Sequence, residues 1–479
     1  MSSNRACVLR WGKNLYDIDV ADETGLEFKK RIEELTSVPV KKQNIVCNAL
    51  WKGFLDDSFQ FNAVSIPAYC SFVLIASSNI SVAEISSGGF VENLSESEAR
   101  SKGYLAPAGL TNLMNTCYAN SVVQVLHNIP ELKEGVMSYS LNNNPGGTPG
   151  ALVQKLRDTF SDLDKSTEAV RPFAFINEIR RSEVFGHRER GLYQQQDAEE
   201  FCTYVLNAIS ATLPTHTSTG TSNLVDDLFQ IGFRCTYLCP ESGESYVTDE
   251  HAEKLFCNIR GGANEEVKVN FLAQGLKLGL EGEVEKHSDV LGRTALWKKT
   301  MEISSLPKYL CVMFMRFYWK QLPETHEGGI ACKIMRAVEF PFRLDISEFC
   351  TPEVRLAMNM VRDTLESEQY QDCVKDYGDS PDLKNGILQS LLEDSAVPTS
   401  SEMPVGFAGF YELSGIVSHM GDSVKGGHYI GWVKNKGKWF KCDDDKVSAV
   451  TRQTIRQLKG GSEAQSVYLC FYRYVDSNL

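Results

Sequence analysis

Apolar and polar positions alternate in two short runs near the start of the chain, residues 6–11 and 15–20, which predicts a pair of strands turning around Gly12-Lys13. Thr24 and Glu27 then form a capping-box pattern ahead of Phe28, Ile32 and Leu35, which share one helical face, and Pro39 follows. Further strands at 43–47 and 71–75 complete a ββαββ order. The serine- and glutamate-rich run from Ser77 to Ser101 reads as a flexible tether. Beyond it the period changes. Helical patterns dominate 116–212, including 198–209 with Phe201, Val205 and Ile209 on one face. From Leu228 strand-like runs take over, among them 231–238, 310–318, 415–419 and the closing 466–474. Residues 351–403 are polar, acid-rich and poorly patterned apart from 387–392, so they read as a partly disordered surface insertion.

Two segments carry chemistry. In Gly109-Leu110-Thr111-Asn112-Leu113-Met114-Asn115-Thr116-Cys117-Tyr118-Ala119-Asn120-Ser121, the cap-type residues Asn115 and Thr116 precede a helix whose apolar positions are Val122, Val125, Leu126 and Ile129. Cys117 therefore stands on a first turn, where the helix dipole and a nearby imidazolium favour a nucleophilic thiolate over a thiol. The rival reading is a buried structural cysteine. Some three hundred residues downstream, Gly426-Gly427-His428-Tyr429-Ile430-Gly431-Trp432-Val433 is followed by a turn at Asn435-Lys436-Gly437 and then by Lys438-Trp439-Phe440-Lys441-Cys442-Asp443-Asp444-Asp445. Two strands joined there would bring His428 and Asp443 together. Cysteine, histidine and carboxylate in that order is the arrangement of a papain-like triad.

These residues resemble the ubiquitin-specific cysteine proteases, whose cysteine box is similar to 109–121 and whose histidine box is similar to the second segment. A third stretch, Gln195-Gln196-Asp197-Ala198-Glu199-Glu200-Phe201, resembles another element of that family, and the three span most of 104–479. The resemblance implies an α+β chain: a β-grasp ubiquitin-like domain over 1–77, a linker over 78–103, and a papain-like protease domain of thumb, palm and fingers over 104–479. A ubiquitin-like domain directly before such a protease resembles the proteasome-associated branch of the family. Release of that domain after Gly88-Gly89 is disfavoured, because the pair lies about a dozen residues past the last strand.

The resemblance also assigns roles. Cys117 is the expected nucleophile, His428 the proton shuttle, and Asp443, the first of three aspartates, the triad acid. Asn112 would aim its amide at the oxyanion beside the Cys117 N–H, with a loop cap as its alternative, and Asp444 would support that region. Asp197 and Glu200 match positions that hold the arginine-bearing ubiquitin tail, unless they merely form a solvated helix face. Tyr429 is read either as a wall of the glycine channel or as core. Met114 stands where the family almost always has glycine, which puts the oxyanion loop in question if that backbone needs positive φ. Cys442 replaces a usual aromatic residue and reads as core more readily than as a second reactive thiol.

Other candidates carry less. His419 resembles a structural histidine of the family, and His127 and Cys202 read as core residues on helices. Cys235, Cys239 and Cys257 are a degraded remnant of a zinc ribbon, so neither a metal nor another cofactor is expected. The loops 421–427 and 319–329 match positions where relatives cover the cleft, which implies low activity alone and higher activity on the proteasome.

Composition adds limits. Hydrophobic residues make up 42% of 479, with no apolar run of eighteen, so no membrane span is expected. The first five residues are not expected to act as a signal peptide, and the fourteen cysteines should be reduced thiols, which leaves the sequons at Asn79 and Asn93 accidental. A net charge of −13 argues against nucleic acid. The expected protein is a monomeric, cytoplasmic and nuclear deubiquitinase. Its implied partners are ubiquitin, ubiquitin conjugates and the 26S proteasome regulatory particle, contacted through the ubiquitin-like domain. The alternative is a weakly active ubiquitin-binding allosteric regulator of the proteasome.

Overall fold

The computed structural model describes residues 5–11, 14–20, 23–36, 38–40, 43–47, 50–51, 54–64, 71–75, 106–140, 147–217, 220–259, 268–320, 330–367, 406–421, 423, 426–461 and 465–475. The chain divides into two compact units, Met1–Glu92 and Asn93–Leu479. The tether, Gly88-Gly89 and both sequons lie outside the described residues, as do 321–329 and the part of the expected insertion beyond Ser367.

In the first unit, Arg5–Trp11 pairs antiparallel with Asn14–Val20 and parallel with Ser71–Ile75, whose other edge takes Asn44–Val46. The Gly25–Thr36 helix lies between the second and third of these strands in sequence. Its start is fixed as the sequence predicts: the Thr24 amide donates to Glu27 Oε2 at 2.8 Å and the Glu27 amide to Thr24 Oγ1 at 3.2 Å. Phe28 and Ile32 are fully buried, and Phe28 packs against Phe61 and Phe72 at 4.8 and 5.1 Å between ring centroids. Leu35, expected on the same face, is 47% exposed, because the buried line of the helix runs through Phe28, Ile32 and Thr36, four residues apart, and Leu35 falls to its side.

The second unit is α+β. Its helices include Cys117–His127, Pro130–Ser138, Gly147–Lys165, Phe173–Ile179 and Ala198–Thr212, and its large sheet has eight strands. Along the sheet run Lys254–Cys257, Tyr309–Phe314, Ser466–Tyr474, Phe410–Met420, His428–Asn435, Lys438–Asp443 and Lys446–Val450, with Arg343–Asp345 also against Phe410–Met420. Alternate residues of its strands enter two different cores. Tyr429 and Val433 pack with the helices, whereas Ile430 and Trp432 pack on the other side with the Leu272–Gly279 helix and a separate four-stranded sheet. Burial on both faces explains why these strands read as continuous apolar runs.

Two expectations need correcting. The run 310–318 is two strands, Tyr309–Phe314 and Phe317–Lys320, broken at Arg316. That fully buried guanidinium donates to the carbonyls of Val467, Ile334, Arg336 and Lys459, so it serves as an internal junction. The start of the expected insertion is an ordered helix, Pro352–Glu366, with Val354, Met358 and Val361 buried at i, i+4 and i+7. Pro352 at its first turn is a start signal the polar composition obscures.

Candidate active site

The Cys117–His127 helix packs its backbone directly on the strand that carries the histidine. A Cβ added at Gly431 would lie 2.8 Å from the Ser121 carbonyl oxygen, so only glycine allows this approach. Cys117 is the first residue of the helix, and its backbone N–H has no acceptor within the helix. Immediately before it, Met114 and Asn115 have φ of 66° and 58°. The methionine thus occupies the left-handed backbone that glycine takes freely, at a cost of about 1–2 kcal/mol, whereas Asn115 is of a residue type that adopts it more readily. Inside the turn, the Thr116 amide donates to Asn112 Oδ1 at 3.2 Å and the Leu113 amide to Thr116 Oγ1 at 2.8 Å.

The histidine and the acid sit on a regular hairpin. His428–Asn435 pairs with Lys438–Asp443 in a register that sets Gly431 opposite Cys442, and Lys436 and Gly437 both take positive φ, as a two-residue hairpin turn requires. His428 Nε2 donates to Asp443 Oδ1 at 2.6 Å, and the same ring hydrogen-bonds the Cys117 thiol, which leaves Nδ1 for the sulfur. The Cys117 hydrogen bond, helped by Asp443 and opposed by burial, raises the His428 pKa to about 9. Burial works to raise the Asp443 pKa, but hydrogen bonds from Lys441 and His428 outweigh it and hold the carboxyl below its ordinary value. Lys441 Nζ lies 2.8 Å from Asp443 Oδ2.

The two halves meet at Asp444. Its carboxylate accepts from Asn112 Nδ2 and Asn120 Nδ2, each at 2.8 Å, and its carbonyl accepts from the Leu110 amide at 2.9 Å. Gly109 makes this contact possible, since a Cβ there would come within 2.4 Å of the Asp445 carbonyl oxygen. Asn112 is therefore held at both ends of its amide, with its second Nδ2 hydrogen free for another acceptor.

The remaining candidates separate. Asp197 caps the Ala198–Thr212 helix, accepting from the Glu199 and Glu200 amides at 2.6 and 3.3 Å, and takes the Tyr468 hydroxyl at 2.7 Å. With both oxygens occupied inside the protein, and its pKa raised by burial, it acts on the site through other groups rather than as an open acceptor. Glu200 is exposed, and partial desolvation together with the charges of Asp197 and Glu199 raises its carboxyl pKa, so of the two acids it is the one that faces solvent. Tyr429 is corrected from channel wall to core: it is 1% exposed, with its ring 4.6 Å from that of His419. Cys442 is core as well, its thiol pushed up to about 12 by burial. His127, read as a core residue, is only part-buried and faces Asp164 at 3.0 Å.

Among the described residues, His428, Asp443 and Asp444 are spaced closely enough to hold a metal ion. Each of the four carboxylate oxygens already accepts from one partner: His428, Lys441, Asn112 or Asn120. Cys235, Cys239 and Cys257 are buried thiols, with Cys235 and Cys257 in different sheets. A cavity of about 810 Å³ opens at the far end of the Cys117–His127 helix, lined by His127, Lys133, Lys434 and Arg473, well away from the sulfur.

Three contacts escaped the sequence reading. Lys441 lies two residues before Asp443 and so shares its face of the strand, a signal that alternation carries. Asn120 lies within the cysteine motif itself. Tyr468, 271 residues from Asp197, had no local signal.

A family model described as ubiquitin carboxyl-terminal hydrolase matches residues 108–472. The chain is 35% identical to ubiquitin carboxyl-terminal hydrolase 6 of Arabidopsis thaliana, over 97% of this chain and 98% of that protein. It is 32% identical to ubiquitin carboxyl-terminal hydrolase 6 of Schizosaccharomyces pombe, over 98% of both. With ubiquitin carboxyl-terminal hydrolase 14 of Caenorhabditis elegans it shares 30% identity, over 97% of this chain and 92% of that one.

Proposed function

The chain belongs to the ubiquitin carboxyl-terminal hydrolase family as a cysteine-type deubiquitinase, and from that premise we propose that it removes ubiquitin from conjugates bound at the proteasome. The observation that carries the catalytic part is His428 bridging the Cys117 thiol and the Asp443 carboxylate. As His428 Nδ1 takes the Cys117 thiol proton, the sulfur attacks the carbonyl carbon of the ubiquitin C-terminal glycine, and the carbonyl π electrons move onto its oxygen. The Cys117 N–H and the free Asn112 amide hydrogen receive that oxyanion, held in place through Asp444. As the C–N bond breaks, His428 gives its proton to the departing lysine amine, leaving a thioester on Cys117. Water then attacks the thioester with His428 as base, and ubiquitin leaves as a carboxylate while the thiol is restored. Asp443, steadied by Lys441, keeps the ring oriented throughout.

Glu200 is the open carboxylate for the arginine-bearing tail, with Asp197 positioning the helix start beneath it. The proteasome part rests on the first unit, whose described strands and α-helix follow the ββαββ order of ubiquitin itself. In this reading it is a ubiquitin-like domain that docks on the regulatory particle, and the enzyme works wherever proteasomes do, in cytoplasm and nucleus. Ubiquitin hydrolysis by the full-length chain should rise when purified proteasome is added. Equal rates would sink the docking part and leave the hydrolase intact.

One observation favours a second reading. Met114 at φ 66° strains the loop that shapes the oxyanion site, as expected of a weakly active protein that acts on the proteasome chiefly by binding ubiquitin. No turnover with or without proteasome would favour it.

A further inference from the structure

A left-handed pair of non-glycine residues persists only where its surroundings impose it. At Met114 and Asn115 those surroundings are a short helix and a two-stranded hairpin, both outside the cysteine motif. Arg180 caps the C-terminus of the Phe173–Ile179 helix, and its Nη2 donates to the Leu113 carbonyl at 2.6 Å and to the Met114 carbonyl at 2.9 Å. The guanidinium lies 3.7 Å from the centre of the Tyr193 ring, in the strand Leu192–Tyr193. Tyr193 closes the circuit, because its own carbonyl accepts from Asn115 Nδ2 at 2.9 Å. Arg188 braces it in turn, with its guanidinium 4.1 Å from the ring centre and a hydrogen bond to the phenol oxygen.

We propose that Arg180, supported by Tyr193, is a positioning residue for the reaction: it holds the strained Met114–Asn115 turn so that Asn112 and the Cys117 N–H face the oxyanion. The inference rests on the reading of Cys117 as nucleophile. The chemical logic is a substitution of means. Where glycine would take this backbone without help, the Met114 turn is held by two carbonyl contacts to one guanidinium nitrogen, Arg180 Nη2, while the guanidinium stacks on an aromatic ring. Arg180 touches no reacting atom in this account, so its effect should appear in turnover and not in ubiquitin affinity.

The test uses the full-length chain, a ubiquitin C-terminal fluorogenic amide, and the variants Arg180→Met, Met114→Gly and their combination. Arg180→Met keeps much of the side-chain length but removes the donors. It should lower kcat about 10- to 100-fold, as loss or misplacement of an oxyanion donor does, with KM changed less than about twofold. Glycine at 114 removes the need for the clamp, so the same Arg180→Met change made in the Met114→Gly background should cost less than about threefold. A kcat for Arg180→Met within twofold of the parent overturns the proposal. So does an equal loss in both backgrounds, which would mean general damage to the surrounding fold. Turnover that survives Cys117→Ala would overturn it together with the nucleophile reading, an outcome distinguishable because the first two readouts leave Cys117 in place.

Discussion

The two halves of the site are built by opposite means. The His428 and Asp443 half is a regular hairpin, in which strand register, a two-residue turn and alternation bring the groups together, and its left-handed residues, Lys436 and Asp444, sit at turns beyond the ends of the two strands. The Cys117 half is an irregular turn with two left-handed residues, fixed by groups from three other segments: Asp444, Arg180 and Tyr193. The first half is orientation supplied by secondary structure. The second is a strained turn held by long-range contacts, and in the proposed reaction it shapes the site of the oxyanion.

Breaking the hairpin half at its acid should have the largest effect. Asp443→Asn keeps the shape but loses the charge that holds the His428 ring, and kcat should fall by about 10²- to 10⁴-fold. A loss below tenfold would mean that His428 is oriented by its strand alone. Breaking the turn half at Asn112 comes next. Asn112→Ala should lower kcat by about 10²- to 10³-fold with ubiquitin binding retained, since one oxyanion donor is removed; a matching fall in affinity would mark Asn112 as a loop cap instead.

The pH profile sharpens the link between the halves. His428 titrates at about 9, above its ordinary 6.5, so its charged ring contributes stability that is fully present below pH 6.5 and lost as pH rises through about 9. The acid limb of Asp443 runs the other way, its stabilisation being lost only as pH falls through its lowered pKa. Activity should therefore decline on the alkaline side near pH 9. A decline centred near 6.5 would show that Cys117 and Asp443 do not hold the ring in solution. The smallest effect is expected where the halves touch. Gly431→Ala forces a methyl group to within 2.8 Å of the Ser121 carbonyl, and should cost about 1–3 kcal/mol of stability, read as a melting point lower by a few degrees.

The same contrast explains what the sequence made legible. The hairpin, the capping box at Thr24 and Glu27, and the strands Ile231–Leu238 and Ser466–Tyr474 obey local rules, and each lies where periodicity puts it. The Pro352–Glu366 helix was missed because its three buried residues are diluted by charge, although their spacing was helical. Arg316 broke a strand that hydrophobicity alone had joined. In the site, Cys117, His428 and Asp443 could be named from motif order, and Met114 could be flagged as an unusual residue. What holds Met114 could not be named. Arg180 and Tyr193 lie 66 and 78 residues from their partners in the turn, and no local pattern records such contacts. The channel-wall reading of Tyr429 falls, and the core reading stands, for a related reason: strand alternation turns it to the opposite face from Ile430 and sends its ring into the core.

The central claim is that Cys117, and not another of the buried thiols, is the group that bonds to the ubiquitin C-terminus. Ubiquitin carrying an electrophilic C-terminus, incubated with the full-length chain and followed by peptide mapping, addresses it directly. The account predicts a one-to-one adduct on Cys117 that Cys117→Ala abolishes; an adduct on any other cysteine, or one that survives that substitution, would contradict it.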